Sequence, residues 1–198
     1  MCRKFFASFA TLFLVLLPGL QRAQEQSAPS PDEFQRGERT IRRFPPSEFK
    51  NAPQWVVVGL VALGCTIPQP FAAQQPSNLI RGQFARNGEW DWAAICSKEG
   101  KSRAVVLWDG PPACPNSFGE SEDVERLATF GSGGIGYEYS IVSVGPEQIR
   151  KDIHDWGDPS AEEHATAISH DGIELPSGKG VQIEYCLRGQ WTIAAAGD

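Results

Sequence analysis

Trp92-Ala93-Ala94-Ile95-Cys96-Ser97-Lys98-Glu99-Gly100-Lys101-Ser102-Arg103-Ala104-Val105-Val106-Leu107-Trp108 is the stretch that decides how this chain folds. Trp92 to Cys96 and Ala104 to Trp108 are β-branched or aromatic segments on either side of Lys98-Glu99-Gly100-Lys101, so they read as antiparallel strands around a hairpin turn. Upstream, Leu79 to Phe84 is a third strand, set off by the turn Arg86-Asn87-Gly88-Glu89. Downstream, Tyr137 to Val144, Ala165 to Ser169, Val181 to Leu187 and Gln190 to Ala194 extend the pattern, the last two turning at Arg188-Gly189. The expectation is an α+β fold of mainly antiparallel sheet, about seven short strands in a meander, with two or three short helices against it.

Three segments supply those helices. Ala52 to Cys65 is β-branched enough for a buried strand, yet it has Asn51 as an N-cap, an early Pro53, Val56, Leu60 and Leu63 at helical spacing, and Gly64 as a stop. The helix is the preferred reading. Pro146 to Ile153 starts with proline and spaces Ile149 and Ile153 four apart, as a short helix does. Ser121 to Leu127 starts with a cap and acids.

At the N-terminus, Arg3-Lys4 precedes the apolar run Phe5 to Leu17 and the breaker Pro18-Gly19, which reads as a secretory signal peptide over residues 1–23. The run is shorter than the roughly 20 apolar residues that span a bilayer, so no integral anchor is expected after cleavage. Residues 24–44 are rich in Gln, Ser, Pro and charge and read as a disordered leader, its Arg36, Arg39, Arg42 and Arg43 interleaved with acids and solvated. Residues 45–198 then form a single globular domain. Without residues 1–23 the chain has 15 basic and 24 acidic residues, a formal charge of −9. That balance argues against nucleic acid and against anionic lipid surfaces as partners. The chain is expected outside the cytoplasm, in the periplasm or beyond.

Export leaves four cysteines, Cys65, Cys96, Cys114 and Cys186, and an oxidising compartment makes two disulfides the default. Three pairings are possible. The preferred one joins the sequence neighbours Cys65 and Cys96 and ties Cys114 to Cys186 in the C-terminal strands. The spacings are long and no C-x-x-C pair occurs, which disfavours a zinc site. Ala62-Leu63-Gly64-Cys65 looks like a lipoprotein cleavage box, but it lies behind a complete signal peptide, so lipidation is not expected.

Ile80-Arg81-Gly82-Gln83-Phe84-Ala85-Arg86-Asn87-Gly88-Glu89-Trp90-Asp91-Trp92-Ala93 resembles one blade motif of the FG-GAP-type β-propellers. In that family a Gly-x-Phe strand leads into an Asp-rich, calcium-binding loop and then an Asp-Leu/Trp-Ala strand. Here the loop places hold Gln83, Ala85 and Asn87, then Glu89 and Asp91, too few carboxylates for an oxygen cage. The motif occurs once, so a whole propeller is not implied. More broadly, Gly64-Cys65-Thr66-Ile67-Pro68-Gln69, Asp91-Trp92-Ala93 with Cys96-Ser97, and Gly189-x-Trp191 are similar to exported bacterial proteins of unknown function. That likeness implies a bacterial envelope setting and carries no activity with it.

Candidate chemistry is sparse. Gly131-Ser132-Gly133-Gly134-Ile135-Gly136 has the spacing G-x-G-x-x-G, but a dinucleotide loop needs a strand before it and a helix after it, and here a helix precedes and a strand follows. It reads as a flexible connection, and no cofactor is expected. There is no G-x-S-x-G elbow, and paired cysteines supply no thiolate. His154, His164 and His170 lie among Asp152, Asp155, Asp158, Glu162, Glu163 and Asp171, the raw material for a secreted hydrolase or a metal-dependent enzyme, with His164, His170 and Asp171 the candidate catalytic residues. The preferred reading there is a set of solvated loops. Trp90 and Trp92 share a parity, so in a regular strand they would face one way and offer a ligand platform for a sugar or peptidoglycan. The function expected is therefore a non-catalytic structural or binding domain of the envelope, its partner an envelope protein or glycan.

Overall fold

Ser30 opens the first helix of the computed structural model, which describes residues 28–71, 73–131, 134–156, 164–177 and 180–196. The Ser30 hydroxyl accepts the Glu33 amide, and Glu33 accepts the Ser30 amide at 2.6 Å, a capping box with Pro31 at the first helical position. This starts α1 (Pro31–Arg39). β1 (Arg43–Phe44) follows, so the reading of residues 24–44 as a disordered leader is corrected from Pro31 onward. Composition misjudged the segment because a few residues anchor it. Phe34 and Ile41 pack on the core, and Arg43 bonds at 2.7 Å to both Glu38 and the buried Asp123. The signal-peptide reading of residues 1–23 falls outside the described residues.

After a 3-10 turn at Pro46–Glu48 comes α2 (Gln54–Ala62), with Pro53 rather than Asn51 at the N-cap position, no side-chain cap, and a stop at Gly64, whose φ is +74°. β2 (Ile67–Pro68) returns to pair with β1. Next, β3 (Leu79–Gly82), β4 (Asp91–Lys98), β5 (Lys101–Leu107) and β6 (Ser117–Glu122) form an antiparallel meander in sequence order. The β4–β5 turn places Glu99 and Gly100 at positive φ, the geometry that suits the twist of a two-residue hairpin. β7 (Leu127–Phe130) and β8 (Gly134–Tyr137) make a small hairpin. β9 (Val142–Val144), α3 (Pro146–Trp156), β10 (Gly172–Ser177), β11 (Gly180–Leu187) and β12 (Gln190–Ala196) complete the fold, the strands lying in the order β12-β11-β10-β9.

The two four-stranded sheets stack. Ala93, Ile95, Ala104 and Val106 from the first meet Ile173 and Leu175 from the second in the main core. The alternate residues of the first sheet, Ala94, Cys96 and Val105, bury Val56 and Leu60 of α2 on its other face. Ile183 and Tyr185 of the second sheet bury Ile149 and Ile153 of α3 on its outer side. Sandwiching on both faces is why β4 reads as nearly continuous apolar sequence. Both disulfides form, Cys65–Cys96 between the end of α2 and β4, and Cys114–Cys186 between the proline-rich loop after β5 and β11. The architecture is α+β, antiparallel and disulfide-stabilised, with three helices and twelve strands among the described residues.

Three local readings are corrected. Ala165 to Ser169 is not a strand: the Ala167 and Ile168 amides close turns onto His164 and Ala165, and Ile168 drops into the α3 core. The strand is β10, beginning at Gly172, where an added Cβ would lie 2.8 Å from Ile183 and 3.0 Å from the Glu184 carbonyl. Tyr137 to Val144 is broken into β8 and β9, because the buried Asn78 side chain donates to the Tyr139 carbonyl and accepts the Ile141 amide. Ser121 to Leu127 is not an α-helix: between the end of β6 and the start of β7 it forms a 3-10 turn, Asp123–Arg126, with buried side chains at both ends.

Candidate functional site

The start of α2 and the open ends of β3, β4 and β5 enclose a cleft of about 330 Å³. Its aromatic walls are Trp55, Trp90 and Trp92; its polar groups are Arg81, Asp109 and Asn51. Each is placed by local structure. Trp92 lies on β4 directly opposite Arg81 on β3. Trp90 sits just before β4, in the loop that returns from β3, and the Arg81 guanidinium lies 4.2 Å from its ring centroid, a cation–π contact. Trp55 stands in the first turn of α2, which the Val56 and Leu60 contacts hold against the sheet.

Asp91 fixes the geometry from behind. It is fully buried and accepts the Ala85 amide at 2.9 Å and the Asp109 amide at 3.0 Å, tying the Trp90 loop to the end of β5. Burial pushes its carboxyl above the usual range, and those two amide bonds oppose the shift. Glu89 in the same loop pairs with Arg86 at 2.5 Å.

The cleft offers indole faces, charged and amide donors in Arg81 and Asn51, and one carboxylate acceptor in Asp109. A pyranose presents an apolar C–H face and a ring of hydroxyls, so these groups match its chemistry. Paired carboxylates at the spacing needed for glycoside cleavage are not among the cleft residues.

The histidine-containing region is arranged differently. His164 Nδ1 lies 3.4 Å from an Arg188 guanidinium nitrogen, and His170 Nδ1 lies 3.1 Å from the Asp171 carbonyl. The Asp171 carboxylate accepts the Gln83 amide at 2.8 Å and the Ser143 hydroxyl at 3.3 Å, joining the two sheets. His164 is thus engaged with Arg188, His170 with the Asp171 backbone, and the Asp171 carboxylate with Gln83 and Ser143. Asp158, Glu162 and Glu163 fall outside the described residues, as do Ser132 and Gly133 of the glycine-rich loop, whose flanks are β7 and β8. Among the described residues no group of three or more His, Cys, Asp or Glu side chains is placed to hold a metal ion.

A buried polar cluster that sequence reading missed lies under α1. Asp123 accepts from Ser97 at 2.6 Å, from Ser102 and from Arg43 at 2.7 Å. With three donors on a fully buried carboxylate, its acceptor positions serve the fold. The missed wall of the cleft is Trp55. Its signal was a lone tryptophan in the first turn of a helix without charge, and only the docking of α2 places it beside Trp90 and Trp92. No family model matches the chain, and no curated protein and no solved structure matches it.

Proposed function

We propose that this protein is an exported, non-catalytic binding domain of a bacterial envelope that holds a glycan in the cleft between Trp55, Trp90 and Trp92. The observation that carries the reading is the cleft itself, three indoles around Arg81, Asp109 and Asn51. Indole stacking supplies contact area at little conformational cost, and the polar groups orient the ligand. Export is supported by the apolar run behind Arg3-Lys4 and by two disulfides, which persist in oxidising compartments. Among the described residues no helix is long and apolar enough to cross a membrane. The engagement of His164 with Arg188 and of the Asp171 carboxylate with Gln83 and Ser143 weighs against the hydrolase alternative.

The test is a titration, followed by tryptophan fluorescence and calorimetry, with soluble peptidoglycan fragments and with β-1,4-linked oligomers of glucose and of N-acetylglucosamine. Binding to at least one, weakened tenfold or more by Trp90→Ala with an unchanged melting temperature, is the expected result. No binding to any of these probes at millimolar concentration rejects the reading.

A further inference from the structure

The tryptophan cleft has a neighbouring cleft on each side. At Asn51, Ala52 and Trp92 it adjoins a second cleft of about 470 Å³, whose lining also includes Lys50, Gln75 and Leu79. At Trp55 it adjoins a third of about 530 Å³, walled by Leu63, Arg103, Trp108 and Asn116. Each of the three exceeds the lower size of small-ligand sites, about 300 Å³. They share walls, Trp92 between the first pair and Trp55 between the second, so the three clefts lie side by side around the start of α2. Each stretch has an indole and at least one side chain that hydrogen-bonds: Gln75 beside Trp92, Arg81 and Asp109 beside Trp90, Asn116 beside Trp108.

A site for the end of a sugar chain must be closed on one side so that the terminal ring meets a wall. The central cleft instead borders a further cleft on each side, at Trp92 and at Trp55. We infer, resting on the glycan reading above, that the site takes an internal stretch of a linear polysaccharide lying across all three clefts, with Trp92 and Trp55 between successive sugar positions. The chain therefore passes through the protein's surface without presenting an end. Its affinity grows with the number of clefts occupied, because each further ring binds to a chain already held in place.

Calorimetric titration with oligomers from dimer to hexamer tests this, using the same β-1,4-linked glucose and N-acetylglucosamine series together with hexamers blocked at both ends. Affinity is expected to rise about tenfold or more from dimer to hexamer, with blocked hexamers binding as well as free ones. Leu63→Ser in the third cleft and Gln75→Ala in the second, both at exposed positions, should each flatten that rise while leaving dimer binding within twofold. Trp90→Ala should weaken every length. Equal affinity for dimer and hexamer, or loss of binding when the ends are blocked, overturns the internal-chain proposal and leaves the glycan reading standing. Failure of every oligomer, short and long, and of the peptidoglycan fragments removes both.

Discussion

Helices α2 and α3 each bury one face on a four-stranded sheet, and their outer faces are opposites. α3 hides Ile149 and Ile153 and turns Glu147, Lys151 and Asp155 to water, with Lys151 and Asp155 paired one turn apart. α2 hides Val56 and Leu60, yet its outer side is also apolar: Trp55, Val58 and Val61 are 40%, 55% and 58% exposed, and no residue of the helix is charged. Folding requires one apolar stripe on such a helix, and water favours charge opposite it. The sequence of α3 is therefore accounted for by the fold up to its last residue, the exposed Trp156. That of α2 carries apolar surface the fold does not use, and it stands in the half of the molecule where the three clefts lie.

The sharpest way to break this contrast is covalent. The Cys114–Cys186 bridge closes 72 residues and Cys65–Cys96 closes 31. Replacing both members with serine should cost about 4.5 kcal/mol for the first and about 3.5 kcal/mol for the second in the chain-entropy account. Only the second loss frees the end of α2, so affinity for the proposed glycan should fall with Cys65→Ser/Cys96→Ser and hold with Cys114→Ser/Cys186→Ser. Urea denaturation and sugar titration at a temperature where each variant is folded measure the two effects. Equal losses of affinity would show that the clefts depend on overall stability rather than on α2.

Next in size is a pair of truncations. Ile153→Ala on the inner face of α3 should cost about 3 kcal/mol, the range for emptying a buried aliphatic site. Val61→Ala on the outer face of α2 should change stability by no more than about 0.5 kcal/mol. A cost for Val61→Ala near that of Ile153→Ala would mean that the outer face of α2 is part of the core and the contrast between the helices is false.

Sequence reading succeeded where the signal is local. Glu99-Gly100 and Arg188-Gly189 name their hairpins because both residues of each turn sit at positive φ. Pro146 and the four-residue spacing of Ile149 and Ile153 name α3. It failed where a distant side chain overrides local preference. Asn78 captures the backbone at Tyr139 and Ile141 and splits an apparent strand, and Arg43 reaches Asp123 across 80 positions to fasten a segment whose composition suggested disorder. At the cleft, Trp90 and Trp92 both line the recess, but Trp90 stands before β4, outside the regular strand that the parity argument assumed. Trp55, Arg81 and Asp109 join them only through strand register and helix docking, which no window of sequence contains.

Two buried carboxylates, one in each sheet, give the smallest and most discriminating comparison. Burial raises the carboxyl pKa of both Asp91 on β4 and Glu184 on β11. Asp91 uses its two oxygens for two different amides, whereas Glu184 accepts from Gln182 at 3.3 Å. Asparagine has one acceptor oxygen, so Asp91→Asn turns an amide group toward a backbone N–H and should cost about 2 kcal/mol. Glu184→Gln removes a charge that burial disfavours and should stabilise the protein at pH 7, by on the order of 1 kcal/mol. The sign follows from the direction of the shift: a raised folded-state pKa contributes stability below the unfolded value, about 4.3, and loses it as pH rises through the folded value. The advantage of Glu184→Gln should therefore be present at pH 7 and vanish below about pH 4. Melting temperatures of both variants at the two pH values decide the matter, and a Glu184→Gln advantage independent of pH would place its origin in packing rather than in the buried charge.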